Sequence, residues 1–302
     1  MDINNTYMIY KRQKILLALL ESFGGSLKNT DLQKYLFLLT RLQKDKCYEF
    51  VPYKFGCFSF QVYDDKRQLI NKGLLKDSLH CVLENGKTNY SNLLTFKDNA
   101  EIWQIKKQFH QLKGKKLIKY VYLTYPYYAI KSSIAKQILT KTEFQHVEAN
   151  IPINNETVLY TIGYEGKSLE EYLNILIKQD IRILCDVRKN AYSMKYGFSK
   201  KTLKNSVETV GMEYLHFSEL GIVSDDRKNL TCQNDYNTLF ETYEKTVLKS
   251  ENLAIQQLFS HLKNKKRIAL TCFEKSPEMC HRTRVAHAIL RLSEDKIKLK
   301  EL

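Results

Sequence analysis

The chain has 302 residues, 43% of them hydrophobic and 27% charged, which is long enough for two ordinary domains and typical of a folded, soluble protein. No apolar run approaches the roughly 18 residues of a membrane span, and the first residues lack the layout of a signal peptide, so we predict a cytoplasmic protein with no membrane partner. The formal net charge of +15 predicts a polyanionic partner such as nucleic acid.

The positive charge is unevenly distributed along the chain. Residues 1–156 carry 24 Lys and Arg against 14 Asp and Glu, and residues 102–142 contain nine lysines and no acid. This clustering favours an anionic partner, although a lysine-rich surface without any partner is the alternative. The seven cysteines are odd in number and show no framework spacing, which predicts reduced thiols.

One segment interrupts the apolar pattern near the middle of the chain. Residues 147–156 contain Pro152 and three asparagines, which predicts a linker. We therefore expect a first domain over residues 1–150 and a second over 157–302. The oligomeric state is open, and a homo-oligomer is one of the options.

The first domain shows a helix, helix, loop, helix pattern. Leu32, Leu36 and Leu39 form an apolar stripe, and a further helix over residues 61–71 ends at Gly73. This order predicts a mostly helical, winged-helix-like binding domain. The stretches "LQKYLFLL" and "YEFVPYKFGCFSFQVYDDKRQLINKGLL" resemble the amino-terminal module of Panacea and SocA-like antitoxin proteins, which implies a toxin–antitoxin or phage-defence setting.

A lysine-rich and tyrosine-rich segment closes the first domain. Its sequence is "GKKLIKYVYLTYPYY", and the candidate nucleic-acid patch comprises Lys113, Lys115, Lys116 and Lys119. The interleaved tyrosines are typical either of base stacking beside phosphate-binding lysines or of rings that pack in a core.

The second domain alternates strand and helix patterns. Strands are predicted at "TVLYTIGY", "IRILCDVR", "MEYLHF" and "RIALTC", with helices between them and a last helix that begins at Ser276 and Pro277. This alternation predicts a mainly parallel sheet with helices on both faces. Functional sites of such sheets lie beyond the carboxyl ends of the strands, where this chain places its reactive polar residues.

The four strand-end blocks "YTIGYEG", "ILCDVRKNAYSMKYGFSKKTL", "GMEYLHFSELG" and "CFEKSPEMCHR" resemble the domain-of-unknown-function family 488 over about residues 157–292. The resemblance implies an α/β fold with a shared pocket. Nucleic-acid or nucleotide processing is an inference about this family.

Three kinds of chemistry compete for the pocket. A metal could use Cys272, Cys280 and His281, which are suitable ligand types. Zinc is nevertheless disfavoured, since there is no Cys-x-x-Cys pair and the adjacent Cys280 and His281 would point apart on a helix, so we predict no metal and leave the cofactor unassigned. A cysteine nucleophile at Cys272 or Cys280 is the second option. Paired carboxylates are preferred, because two carboxyl groups with different pKa values can activate water and protonate a leaving group.

The candidate site residues follow strand ends, lie on a basic, aromatic loop over residues 188–201, or lie in the first turns of the last helix. A helix amino terminus stabilises an anion, so Arg282 in these turns, together with Lys275, is expected to bind a phosphate or carboxylate. The catalytic candidates are Asp186, Glu165, Glu274 and Cys272. The substrate-binding candidates are Tyr164, Arg188, Lys275, Cys280, His281, Arg282, Tyr192 and Tyr196. We expect an enzyme that processes nucleic acid or a nucleotide by base or phosphoester hydrolysis. The alternative is a non-enzymatic nucleic-acid-binding regulator or nucleotide sensor.

Overall fold

The computed structural model describes residues 8–77, 79–84, 89–227, 230–294 and 296–302. The chain divides into two compact units, Met1–Ile151 and Pro152–Leu302. Within the described residues, no helix is both long and apolar enough to cross a membrane. The seven cysteines, all of which are described, carry free thiols.

The first unit is mostly helical. Its elements are α1 (Lys11–Ser22), β1 (Ser26–Lys28), α2 (Asn29–Leu42), β2 (Val51–Tyr53), β3 (Gly56–Phe58), α3 (Phe60–Asn71), β4 (Leu75–Asp77), β5 (His80–Leu83), α4 (Phe96–Phe109), α5 (Lys115–Thr124), α6 (Ala135–Ile138) and α7 (Lys141–Glu148). An antiparallel sheet has the order β1-β5-β4, and β2 and β3 form a separate hairpin.

The core of the first unit lies between α1, α2 and α4. Tyr35, Leu36 and Leu39 of α2 are fully buried, because apolar residues three and four positions apart share one face of a helix. The Ser59 hydroxyl accepts the Val62 amide and caps α3. Local sequence signals therefore start these helices, and packing of the helices against one another buries their apolar faces.

The second unit is an α/β domain. Its elements are β6 (Val158–Gly163), α8 (Leu169–Lys178), β7 (Ile183–Asp186), α9 (Lys200–Thr209), β8 (Glu213–His216), α10 (Gln233–Lys245), α11 (Val247–Ser250), α12 (Asn252–Lys265), β9 (Arg267–Cys272), α13 (His281–Arg291) and β10 (Lys298–Glu301). The sheet is entirely parallel, with the order β10-β6-β9-β7-β8, and helices flank it. The predicted fold class is confirmed.

The strand order brings three carboxyl ends together. Strand β9 lies between β6 and β7, and Cys272 is paired in register with Gly163 while Thr271 is paired with Asp186. Strands β6 and β9 are buried along their whole length, as expected for the centre of a parallel sheet. The crevice beyond these ends is where open α/β sheets bind ligands.

Two elements differ from the sequence prediction. The last helix begins at His281, not at Ser276, because residues 273–280 form a loop and Cys280 is the extended N-cap residue, with φ −132° and ψ 132°. A fifth strand, β10, was missed, since "KLKE" is charged and pairs with β6 only at the sheet edge.

Candidate functional site

A cavity of about 280 Å³ opens beyond the ends of β6, β7 and β9. Five of the residues singled out from the sequence line it. The lining consists of Tyr164, Arg188, Lys189, Asn190, Tyr192, Ser193, Ile222, Arg227, Cys272, Phe273 and His281. Loops distant in sequence therefore meet at one small, largely polar cavity.

Arg188 and Asp186 form a buried ion pair beneath this cavity. Asp186 is fully buried, and it accepts hydrogen bonds from Arg188 Nε at 2.8 Å, from Arg188 Nη2 at 2.5 Å and from the Tyr214 hydroxyl at 2.7 Å. Burial disfavours the guanidinium charge, but the hydrogen bonds and charge of Asp186 outweigh it and raise the pKa of Arg188. A catalytic role for Asp186 stays a prediction, and these contacts favour a role in holding Arg188.

Arg188 also fixes the aromatic wall. Its Nη1 donates to the Tyr164 hydroxyl and to the Phe198 carbonyl, both at 2.9 Å. The Tyr164 and Phe198 rings stack with centroids 4.3 Å apart. Within the basic loop, Phe198 is the buried anchor, whereas Tyr192 lines the cavity with 77% of its surface exposed. Tyr196 is 37% exposed and does not line the cavity.

Cys272, Cys280 and His281 meet at the floor of the cavity. One ligand atom from each residue lies within 4.8 Å of the other two, and all three residues are buried. The argument that Cys280 and His281 point apart on a helix is wrong, because Cys280 precedes the first helical turn and its extended backbone turns the thiol towards Cys272. The structure therefore brings together three side chains of ligand type that the sequence spacing was expected to keep apart.

The hydrogen bonds of His281 define its tautomer. Its Nε2 lies 2.8 Å from the Val187 carbonyl, which can only accept, and its Nδ1 lies 2.7 Å from Arg227 Nη2, which can only donate. Nε2 therefore carries the proton, and Nδ1, which accepts from Arg227, lies 3.8 Å from Cys272 Sγ.

The two cysteines of the cluster have unequal acidity. A hydrogen bond from the Cys280 thiol is the main cause that lowers the pKa of Cys272 well below its ordinary value, and the Arg227 charge adds to it. Burial raises the pKa of Cys280, and its bond to Cys272 acts in the same direction. Cys272 is thus the preferred thiolate of the pair.

Glu274 lies beside the cluster. Its Oε2 is 3.3 Å from Cys272 Sγ, and its Oε1 pairs with Arg227. Burial raises the pKa of Glu274, and the nearby Cys272 thiolate contributes. Both effects favour the protonated form of Glu274, whereas its pairing with Arg227 acts in the opposite direction.

Arg282 holds the loop that carries Glu274 and is not among the residues that line the cavity. Its fully buried guanidinium donates to the Glu274 carbonyl at 2.5 Å, to the Lys275 carbonyl at 3.2 Å and to Glu301 Oε1 at 2.7 Å. The predicted anion contact at Arg282 is replaced by these internal partners. The loop also approaches β6 closely, since a Cβ on Gly163 would lie 1.8 Å from the Glu274 carbonyl oxygen.

Two further predicted site residues lie at the surface, one on the loop after β6 and one on the loop after β9. Glu165 and Lys275 are exposed, and Glu165 Oε2 accepts the backbone amide of Lys275 at 2.8 Å. Neither side chain lines the cavity. Their contact joins the loops after β6 and β9.

Arg227 is the residue that sequence reasoning missed. It ends a short 3-10 turn, Ser224–Arg227, and reaches both Glu274 and His281. The segment "SDDR" is typical of a solvated turn, so no local pattern distinguishes this arginine. Only the folded loop places it at the cluster.

The first unit presents its predicted lysine patch at the start of α5. Lys113, Lys115 and Lys116 are exposed, whereas Lys119 is half-buried and pairs with Glu143 at 2.9 Å. Lys119 is therefore already neutralised by a carboxylate. Tyr122 of the same helix is fully buried, which favours the core role for this ring over base stacking.

A larger cavity in the first unit is mainly apolar. Its volume is about 540 Å³, and its walls include five aromatic residues together with Lys34 and Lys66. Lys34 is buried, and its ammonium donates to the Phe55 carbonyl at 2.6 Å. The lining of this cavity contains fewer reactive polar groups than the lining of the strand-end cavity in the second unit.

The second unit is thus an α/β domain in which the cluster of Cys272, Cys280 and His281, with Arg227 beside it, lies at the floor of a strand-end cavity. Residues 168–289 match the family model described as Domain of unknown function DUF488, from the start of α8 into α13, a range that includes β7, β8 and β9. The resemblance seen in the sequence is confirmed over these residues. No curated protein matches the chain in a sequence comparison.

Proposed function

We propose that the second unit is a hydrolase that acts on a nucleotide or on nucleic acid. The observation that carries the proposal is the shared cavity, in which aromatic surface, cationic groups and the Cys272–His281 pair line one space of about 280 Å³. This size lies near the lower end of ligand sites, which span roughly 300–1,000 Å³. It suits one base or one phosphate group at a time.

The exposed groups of the lining have complementary tasks. Tyr192 and Phe273 are 77% and 43% exposed, and each offers a ring face on which a base can stack. Lys189 and Arg227 supply positive charge for phosphate oxygens. Arg188 uses its donors internally and acts by holding Tyr164 in place.

The reaction adds one water molecule across one bond. The water oxygen forms a new bond to phosphorus or to the sugar carbon that carries the base, and the bond from that atom to the leaving oxygen or nitrogen breaks. One water proton goes to a basic group of the site, and the leaving group takes up a proton. We assign the activation of this water molecule to the cluster of Cys272, Cys280 and His281.

A nucleotide sensor is the second candidate function. Among the described residues that line the cavity there is no carboxylate that could act as a general acid or base, which favours binding without turnover. In this case the cavity would hold a nucleotide and change the activity of a partner. The cysteine and histidine at the floor favour the hydrolase.

The first unit is proposed to bind nucleic acid. Its excess positive charge and the exposed Lys113, Lys115 and Lys116 support electrostatic contact with phosphates. The resemblance of its sequence to antitoxin modules supports a toxin–antitoxin or phage-defence setting. The cytoplasm is the compartment that fits free thiols at all seven cysteines.

Mass spectrometry of nucleotides, single-stranded DNA, duplex DNA and RNA incubated with the pure chain tests the function. We expect two fragments whose masses add up to that of the substrate plus one water, absent with Cys272→Ser and retained with Cys232→Ser, an exposed cysteine outside the cluster. Binding without any product from every substrate would favour the sensor. Neither binding nor product would contradict both functions.

A further inference from the structure

We propose that Cys272, Cys280 and His281 bind one transition-metal ion of the zinc class, with a fourth coordination position open to the cavity. Two thiol sulfurs and one imidazole nitrogen are ligands that zinc prefers, and three protein ligands with one open position are typical of catalytic zinc sites. The three ligand atoms already lie within 4.8 Å of one another. Cys272 and His281 also line the cavity, so the fourth position is accessible.

The distances agree with a tetrahedral site after a small adjustment. Zinc bonds of about 2.3 Å to sulfur and about 2.1 Å to nitrogen require ligand atoms roughly 3.6–3.8 Å apart. Cys272 Sγ and His281 Nδ1 are 3.8 Å apart. The most widely separated pair in the cluster, at up to 4.8 Å, needs to close by about 1 Å.

The surroundings of His281 match those of a metal-bound histidine. Such histidines donate their second ring N–H to a carbonyl or carboxylate, which sets the tautomer and the ring orientation. Here Nε2 donates to the Val187 carbonyl at 2.8 Å, and Nδ1 lies 3.8 Å from Cys272 Sγ. This hydrogen bond fixes the ring with Nδ1 on the side of the thiols.

Arg227 lies beside the cluster and contacts the nitrogen that a metal ion would use. Its guanidinium bonds to Glu274 and to His281 Nδ1, so a positive charge occupies the position beside the electron-rich groups. A bound ion replaces this charge and takes Nδ1. Arg227 is then released, and its guanidinium becomes available to a phosphate in the cavity.

Metal binding stands independently of hydrolysis, whereas its catalytic use rests on the proposed function. An ion with an open position would hold a water molecule and lower its pKa, which generates the nucleophile that hydrolysis needs. A chain that binds the ion but shows no turnover would contradict the proposed hydrolase and leave the metal site intact. Turnover by a metal-free chain would support the hydrolase and contradict a catalytic use of the metal, whereas only a failure to bind metal would contradict the site itself.

Elemental analysis of the full chain, purified with reductant and without chelator, tests the site. We expect about one zinc ion per chain. Cys280→Ser and His281→Gln should lower the content at least tenfold, since each removes one of only three protein ligands. Cys232→Ser is the matched control, because its thiol is exposed and lies outside the cluster, and it should retain the ion.

Cobalt substitution of the wild-type chain keeps the test valid if a variant does not fold. After chelation, added Co²⁺ should give the intense visible bands of a tetrahedral ion together with sulfur-to-cobalt charge transfer, and added Zn²⁺ should abolish them. The melting temperature should rise with either ion, since only the folded chain holds the site. A wild-type chain that yields no such bands overturns the proposal, as does a Cys272–Cys280 disulfide found in chain purified with reductant.

Discussion

Asp186 and Arg188 form a two-pronged ion pair in which both carboxylate oxygens accept from one guanidinium, Oδ1 from Nε at 2.8 Å and Oδ2 from Nη2 at 2.5 Å. The pair is almost completely buried, with side-chain exposures of 0% for Asp186 and 6% for Arg188. Because Arg188 also binds Tyr164, this pair connects the end of β7 to the aromatic wall of the cavity. The pair is therefore expected to contribute to the stability of the folded protein.

Replacing Asp186 by Asn should destabilise the protein more than it impairs chemistry. The change leaves the buried Arg188 without its counter-charge, and breaking such a pair costs about 3–5 kcal/mol of unfolding free energy. Urea unfolding measures this loss. Asp180→Asn is the control, since its pair with Arg182 is partly exposed and worth about 0–1 kcal/mol. A variant of normal stability that has lost turnover would instead make Asp186 a catalytic base.

Replacing Arg282 by Met should destabilise the second unit, whereas the same change at Lys275 should not. Arg282 serves two carbonyls and Glu301 from a fully buried position, and hydrogen bonds from a charged donor contribute about 1.5–3 kcal/mol each. The expected loss is therefore about 3 kcal/mol or more. Lys275 is exposed and provides the matched comparison. Equal stability of both variants, with weaker nucleotide binding by Arg282→Met alone, would restore the anion-binding role of Arg282.

Replacing Lys113, Lys115 and Lys116 together by Ala should flatten the salt dependence of binding to duplex DNA. Removal of one lysine–phosphate interaction should reduce the slope of log K against log salt concentration by about 0.9. Adding Lys119→Ala should change the slope little, because Glu143 already neutralises this lysine. Fluorescence anisotropy over a salt series measures the slopes. Replacement of the exposed Lys245, Lys249 and Lys263 is the control, and an equal effect there would show that only net charge matters.

Tyr192→Ala should weaken nucleotide binding, whereas Tyr192→Phe should preserve it. A ring stacked on a base contributes about 1–3 kcal/mol, and the hydroxyl is not needed for stacking. Calorimetry with a nucleotide series measures the difference. Met194→Ala is the control from the same loop, since Met194 is 94% exposed and does not line the cavity. Unchanged affinity of Tyr192→Ala would exclude this ring as a stacking surface.

Arg227→Ala should bind Zn²⁺ more tightly and phosphate more weakly than the wild type. The change removes the cation that competes for His281 Nδ1 and also removes a cavity donor for phosphate. Competition with a chromogenic chelator gives the affinity for Zn²⁺, and calorimetry with inorganic phosphate gives the affinity for phosphate. Arg284→Ala is the control, because Arg284 pairs with Glu244 away from the cavity lining. Weaker binding of Zn²⁺ would show that Arg227 supports the cluster instead of competing with a metal.

The sequence by itself determined the local elements whose signals lie within a few residues. Ser168 and Glu171 form the capping box that starts α8, as their spacing predicts, and the buried strands β6 and β9 follow from continuous apolar runs. Strand β10 gave no such signal, because an edge strand can be charged on both faces. Alternation of strand and helix was sufficient for the α/β class.

Only the tertiary structure decided what each polar side chain does. The sequence places Asp186, Glu274 and Arg282 after strand ends or in the last helix. Their respective partners Tyr214, Arg227 and Glu301 come from distant segments. The position of Cys280 depends on a single extended residue before α13, which turns its thiol towards Cys272. Backbone angles at a helix boundary and contacts between loops arise from packing of the whole unit, so sequence spacing alone cannot distinguish a ligand cluster from adjacent residues that point apart.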